Sequence, residues 1–332
     1  MAAWRKSQDL RYDETSRALL LRTLIDSDFL EALAHTPLHK SVLGLSLIPL
    51  EEHLRTSVSA INEIDAMGST ALCWAVYRND HAAVAKLLAS NASPNLGSRA
   101  PLIEAAMNGS VENMRALLSN GAHVSRQNQY GMSAIGKLCE YTVGTASHET
   151  RMLMARMLLN HGALINVRNI YGETPLMIAA GSAPLDMLQL LLSVSADVQI
   201  VDNEGYNALD WALNRKNQAV LGCLLERMRS LSAVSSVRLL DNVAECGHEQ
   251  FMSLTETFSK KLTIDHIEFA NRKGFWIHVY NKREDRTSSM DSAFKRLLEN
   301  LQTATCKTSN TGNIEGIDQC PPLNMPGSWQ DE

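Results

Sequence analysis

Two sets of side chains have types and spacings that bear on metal chemistry. His35 and His39 stand four apart, as two ligands on one helical turn would, but Pro37 lies between them. Cys246 and His248 would meet His266 and His278 around one zinc if the C-terminal segment folded back, yet their spacing fits no finger pattern. The chain has no phosphate-binding glycine loop, nucleophile elbow, H-E-x-x-H pair or dinucleotide fingerprint. Without a nucleophile, a base and a charge-stabilising donor in one pattern, the expectation is no catalytic residue, no cofactor and no bound metal.

Composition narrows the classes further. The 332 residues carry 31 basic and 36 acidic side chains, a net charge of −5, which argues against non-specific attraction to nucleic acid or acidic membranes. The hydrophobic share, 45%, suffices for a real core. Cys73, Cys139, Cys223, Cys246, Cys306 and Cys320 are scattered singly, the polar start "MAAWRKSQDLRYDETSR" is no signal peptide, and no apolar run approaches a membrane span. Free thiols in a reducing, intracellular compartment, cytoplasmic or nuclear, are expected, with the sequons at Asn91 and Asn108 unused.

The elements that would position any site come from a repeat. "YGETPLMIAA" from Tyr171 returns as "MGSTALCWAV" from Met67, "YGMSAIGKLC" from Tyr130 and "EGYNALDWAL" from Glu204; "HTPLHKSVLGL" and "RAPLIEAAMNG" are further variants. The apolar residues closing each unit, Leu38, Leu72, Leu102, Ile135, Leu176 and Leu209, lie 34, 30, 33, 41 and 33 residues apart. A Leu-Leu pair follows most anchors by fifteen residues: Leu87-Leu88, Leu117-Leu118, Leu191-Leu192 and Leu224-Leu225. A period near 33 predicts a stacked repeat architecture.

These residues resemble the ankyrin pattern D-x-x-G-x-T-P-L-H-x-A-A…V-x-x-L-L-x-x-G-A-x-x-N, over roughly residues 36–228. The copy from Asn169 to Gln199 matches well, and those from Asp65 and Asp202 nearly as well. The opener "TPLHKSVLGLSLIPLEEHL" followed by "TALCWAV" is also similar to a set of fungal ankyrin proteins. The resemblance implies a mainly α solenoid, with two helices and a β-hairpin per unit. The residues support it: Thr174 and Pro175 suit a helix start, and Leu188, Leu191 and Leu192 make an apolar stripe.

Residues 1–34 are expected to be capping helices and 35–228 an array of about six units. The Leu102 unit is three residues short, and the Ile135 unit carries eight extra, placed around Thr142–Glu149 as a loop. Residues 229–304 are read as a decayed repeat followed by a small β-β-α unit. There Phe275, Ile277 and Val279 alternate with Trp276, His278 and Tyr280 as in a strand, after a turn at "NRKG". Residues 305–332, polar and rich in Pro and Gly, are expected to be disordered.

By the resemblance, positions 2, 3, 5, 13 and 14 of each unit face a concave, partner-binding surface. Tyr130 and Tyr171 fall at position 3, Tyr206 at 5, Tyr77 at 13 and Tyr141 at 14; Arg78, Met107, Met132, Glu173, Glu204 and Arg215 accompany them. Tyr, Met and Arg are enriched in interface cores, although a hairpin tyrosine also packs locally. The reading is therefore a non-enzymatic scaffold or adaptor that binds a protein partner, with no small-molecule substrate, membrane or direct nucleic-acid contact. The alternative is a transcriptional coregulator, as for a fungal biosynthetic gene cluster, working through a transcription factor: Arg5, Lys6, Arg11, Arg17 and Arg22 are interrupted by Asp9, Asp13 and Glu14. An enzyme in residues 229–332 lacks any constellation to support it.

Overall fold

The computed structural model describes residues 34–56, 60–141, 146–214, 218–228, 231, 233–246, 255, 259, 262, 264, 266–284 and 286–309. The chain divides into two units, Met1–Ile170 and Tyr171–Glu332. The expected capping helices before Ala34 lie outside the described residues, as do residues 142–145 of the expected loop, residues 247–254 of the decayed repeat and the tail from residue 310.

In the first unit, helices follow in pairs. They are α1 (Pro37–Val42) with α2 (Leu50–Thr56), α3 (Ala71–Tyr77) with α4 (His81–Ala89), α5 (Pro101–Asn108) with α6 (Val111–Ser119), and α7 (Ala134–Cys139) with α8 (His148–Asn160). Thr36, Thr70 and Ser133 start the first helix of their pairs, each hydroxyl accepting the backbone N–H three residues on. Ala100 has no such group, and Pro101 opens α5 instead. Helices α1, α3, α5 and α7 pack in succession, and α2, α4, α6 and α8 form a second row. Leu38, Leu72, Leu102 and Ile135 are buried in the first row and Leu87, Leu117 and Leu158 in the second, at the repeat's own register.

The second unit repeats the plan. It holds α9 (Pro175–Ser182), α10 (Leu185–Ser193), α11 (Ala208–Asn214), α12 (Gln218–Arg227), α13 (Ala233–Cys246), α14 (His266–Asn281) and α15 (Ser288–Ser309). Helix α11 packs on α9 and α12 on α10; then α13 lies on α11, α14 on α13 and α15 on α14. Leu176, Leu191, Leu209 and Leu224 are buried.

The β-β-α reading of the C-terminal segment is corrected. Among the described residues there are no strands beyond the isolated bridges Ile64–Thr70 and Gln127–Ser133, and "FWIHVY" lies inside α14. The side chains that go inward are Phe269, Trp276 and Tyr280, seven and then four residues apart, while Phe275 is exposed. That is helical periodicity; the alternation over six residues was too short to separate it from a strand. Gly274, expected in a turn, sits within the helix, where it costs roughly 0.5–1 kcal/mol against alanine.

Two boundaries also move. Helix α8 has 13 residues where α4, α6 and α10 have 9, so part of the eight-residue surplus lengthens a helix, with Ser147 as its cap. Helix α15 continues through residues 305–309.

Candidate functional site

Three of the loops that join one pair to the next are built alike. Asp65 Oδ1 accepts the N–H groups of Met67 and Ser69, both at 2.9 Å. Asn128 Oδ1 accepts from Tyr130 and Met132 at 2.9 and 3.0 Å, and in the second unit Asp202 Oδ1 accepts from Glu204 and Tyr206 at 2.9 and 2.8 Å. A short polar side chain thus closes each hairpin from inside. The second carboxylate oxygen binds a tryptophan nine residues on: Asp65 takes Trp74 Nε1–H at 2.6 Å, and Asp202 takes Trp211 Nε1–H at 3.0 Å.

In the first unit the hairpins are also tied to one another. Ser98 N–H donates to Gly68 O at 2.7 Å, and Ile170 N–H to Tyr130 O at 3.1 Å. Arg126 donates to the Leu96 and Gly97 carbonyls, and Gln127 Nε2 to Gly131 O and, at 2.8 Å, to Arg168 O. Gly131 has a φ of +67°, and a Cβ there would come within 2.9 Å of Ile170 N, so no larger residue fits without displacement. The result is a row of loops pinned by backbone and side-chain hydrogen bonds.

The residues singled out in the sequence fall into two groups. Tyr130 and Tyr171, 55% and 62% exposed, and Glu204, also exposed, stand out from their hairpins. Tyr77, Tyr141 and Tyr206 are half-buried under arginines. Arg99 lies 5.3 Å from the Tyr77 ring centre, Arg151 4.8 Å from that of Tyr141, and Arg238 3.7 Å from that of Tyr206. Tyr141 Oη also meets His148 Nδ1 at 2.7 Å. Arg78 donates to Val42 O at 2.7 Å, closing the end of α1. Met107, Met132 and Glu173 are half-buried, and Arg215 lies outside the described residues. The local-packing reading therefore describes Tyr77, Tyr141 and Tyr206, whereas Tyr130 and Tyr171 are exposed to solvent.

The titratable groups are committed to structure. His39 Nε2–H donates to Ser69 O at 3.0 Å and Nδ1 faces Thr36, so both ring nitrogens are occupied and burial lowers its pKa. His35 stacks on His39 and approaches Asp65 Oδ2 at 3.4 Å. Glu104, buried beside Arg99 at 3.2 Å, is raised by desolvation, as is Asp210, against which Arg238 stands at 3.3 Å. Burial pushes the Cys139 thiol up to about 12 and Cys73 higher, which leaves them poor nucleophiles. Among the described residues no group of three or more His, Cys, Asp or Glu could hold a metal ion. His248 and the side chains of Cys246 and His266 lie outside that description, and His278 is exposed.

The sequence reading did not single out Ile64, Met67, Leu96 and Ile170, exposed apolar side chains in loops neighbouring that of Tyr130 along the repeat. The signal was present: each sits next to a hairpin Asp, Asn or Gly where a solvated loop favours polar residues. No helix among the described residues is long and apolar enough to cross a membrane.

A family profile for ankyrin repeats matches residues 47–128 and 145–233 in three copies. Similar proteins include ankyrin repeat protein nuc-2 of Neurospora crassa, 29% identical over 192 residues, which cover 57% of this chain and 17% of that one. Ankyrin repeat domain-containing protein SAT10 of Stachybotrys chartarum is 28% identical over 162 residues, 49% of this chain and 8% of its own length. Human ankyrin repeat domain-containing protein 63 is 35% identical over 89 residues, 27% and 23% of the two chains. The aligned part is thus under a quarter of each relative.

Proposed function

This chain belongs to the ankyrin-repeat family, and from that premise we infer that it is a non-enzymatic interaction module holding a protein partner on its hairpin loops. The observation that carries the reading is the exposed apolar row Ile64, Met67, Leu96, Tyr130 and Ile170, on loops already fixed by hydrogen bonds. A soluble chain does not gather such side chains without cause, and a rigid surface spends little on ordering when a partner arrives. In the second unit, Tyr171, Val201 and Glu204 are among the exposed hairpin residues. Tyr77, Tyr141 and Tyr206 are packed against Arg99, Arg151 and Arg238, each within its own unit, and Arg78 holds α1.

Affinity purification of the full chain from its native cell, followed by mass spectrometry, identifies the partner. Replacing Tyr130 and Tyr171 with serine should weaken its capture about tenfold, about 1.4 kcal/mol, with an unchanged thermal melt. Full recovery of the partner by a folded double variant refutes the surface. A transcription factor among the recovered proteins would make the chain a coregulator that reaches DNA indirectly, a role that uses the same loops.

A further inference from the structure

We propose that Arg99 and Glu104 form a proton-operated catch in the first unit. Ionised Glu104 holds the Arg99 guanidinium against Trp74 and Tyr77; protonated Glu104 lets it go into solvent, in the loop that carries exposed Leu96. Such a catch sets the charge that this loop presents, whether or not a partner uses the loop.

The acid is poorly answered where it sits. Glu104 lies in the first turn of α5, and its side chain is 9% exposed. Arg99 Nε stands 3.2 Å from Oε1, while Oε2 is buried and has no hydrogen-bond partner. A carboxylate kept dry with one oxygen unanswered is costly to hold in its charged form. Burial accordingly raises the Glu104 carboxyl above the usual 4.5, and the charges of Arg99 and then Lys137 offset only part of that. Helix α5 packs against α3, α6 and α7. On α3, Cys73 feels the Glu104 charge, but burial keeps that thiol neutral. On α7, Lys137 is engaged by Glu140 at 2.5 Å, and on α6, Glu112 and Arg115 are exposed to solvent. Arg99 is thus the cation in contact with the acid.

The arginine, in turn, is able to leave. Its side chain is 31% exposed, and its guanidinium carbon lies 5.6 Å from the Trp74 ring centre and 5.3 Å from that of Tyr77. The two rings stand at 86° to each other, so the cation rests in their corner. Once Glu104 is neutral, only the rings hold it. Ring contacts of a partly solvated cation are worth less than the rotamer freedom and hydration an arginine recovers on leaving, so release wins. The linkage runs opposite to that of a depressed acid. The folded value is the raised one, so the stability Glu104 contributes is complete below 4.5 and is lost as pH rises through the folded value.

Nuclear magnetic resonance of the full chain with isotope-labelled arginine tests the catch, the Arg99 side-chain signal being the one that Arg99→Lys removes. At neutral pH the ring currents of Trp74 and Tyr77 should displace that signal from the position of a free arginine. As pH falls toward 4.5 it should move to the free position, in one step centred above 4.5, with far-UV circular dichroism unchanged. Asp65, which accepts the Trp74 indole N–H, takes up its proton near pH about 2 and stays out of that range. Glu104→Gln should place the signal at the free position at every pH. If that variant does not fold, Glu104→Met, which leaves no buried polar group, replaces it. A signal that stays displaced down to pH 4.5 in the native chain overturns the proposal, as does one already free at neutral pH. A step that survives Glu104→Gln also overturns it, and would belong to His35, which meets Trp74 edge-on, or to His39 beside it.

Discussion

Replacing Asp65 with alanine should be among the most damaging single changes in the first unit. The carboxylate accepts Met67 N–H and Ser69 N–H at 2.9 Å and Trp74 Nε1–H at 2.6 Å, and it faces His35 at 3.4 Å. Met67 N–H can turn to water, but the Ser69 amide and the Trp74 indole are buried and would be orphaned. At about 1–3 kcal/mol for each of the two buried donors left without a partner, the loss comes to about 2–6 kcal/mol. Asp65→Asn keeps an acceptor for the two amides and should cost about half as much. The acid side has its own signature. Burial alone would raise this carboxyl, but His35, the Ser69 amide and the Trp74 indole outweigh it and hold the pKa at about 2, against 3.8 for a free side chain. Because the folded value is the lower one, the contribution is complete above 3.8 and is lost as pH falls toward about 2. Urea titrations followed by far-UV circular dichroism, on parent and Asp65→Ala at several pH values, measure both effects. A difference well below about 1 kcal/mol at neutral pH, or one that widens on acidification, would refute the reasoning.

Two further outcomes are expected. Leu176→Ala removes a fully buried anchor of α9 and should cost roughly 2–5 kcal/mol in the same titration. Trp276→Ala should destabilise the C-terminal helices by about 3–5 kcal/mol, because the ring is buried and its Nε1–H binds Asp241 at 2.7 Å, whereas Phe275→Ala should fall within about 0.5 kcal/mol of the parent; the reverse order would mean the strand register.

What was legible from the residues depended on how often a signal recurred. The helix pairs were readable because the Leu anchors and Leu-Leu pairs return at one period, so chance alternation in any single copy is averaged out. The C-terminal segment has no such copies. There six residues with a period of two competed with Phe269, Trp276 and Tyr280, whose helical spacing spans twelve positions and crosses Gly274. Among the site residues, hairpin positions were legible but partners across units of the repeat were not. Nothing near Tyr206 in sequence announces Arg238, and only packing brings that guanidinium over the ring. The apolar row was hidden for another reason: Ile64 and Ile170 carry exposure similar to that of Tyr130 but lack its polar handle, so by residue type they read as core.

The two aspartate–tryptophan clasps give the molecule built-in optical reporters. Trp74 belongs to the first unit and Trp211 to the second, and each indole donates to a carboxylate that also closes a hairpin. Opening of a hairpin must release its indole, changing the polarity around the ring and hence its emission. With Trp4, Trp276 and Trp329 replaced by phenylalanine, and Trp74 or Trp211 kept in turn, the yielding of each unit becomes separately visible. A stack whose parts are bound mainly to their neighbours can then be watched losing one part at a time, without attaching any dye.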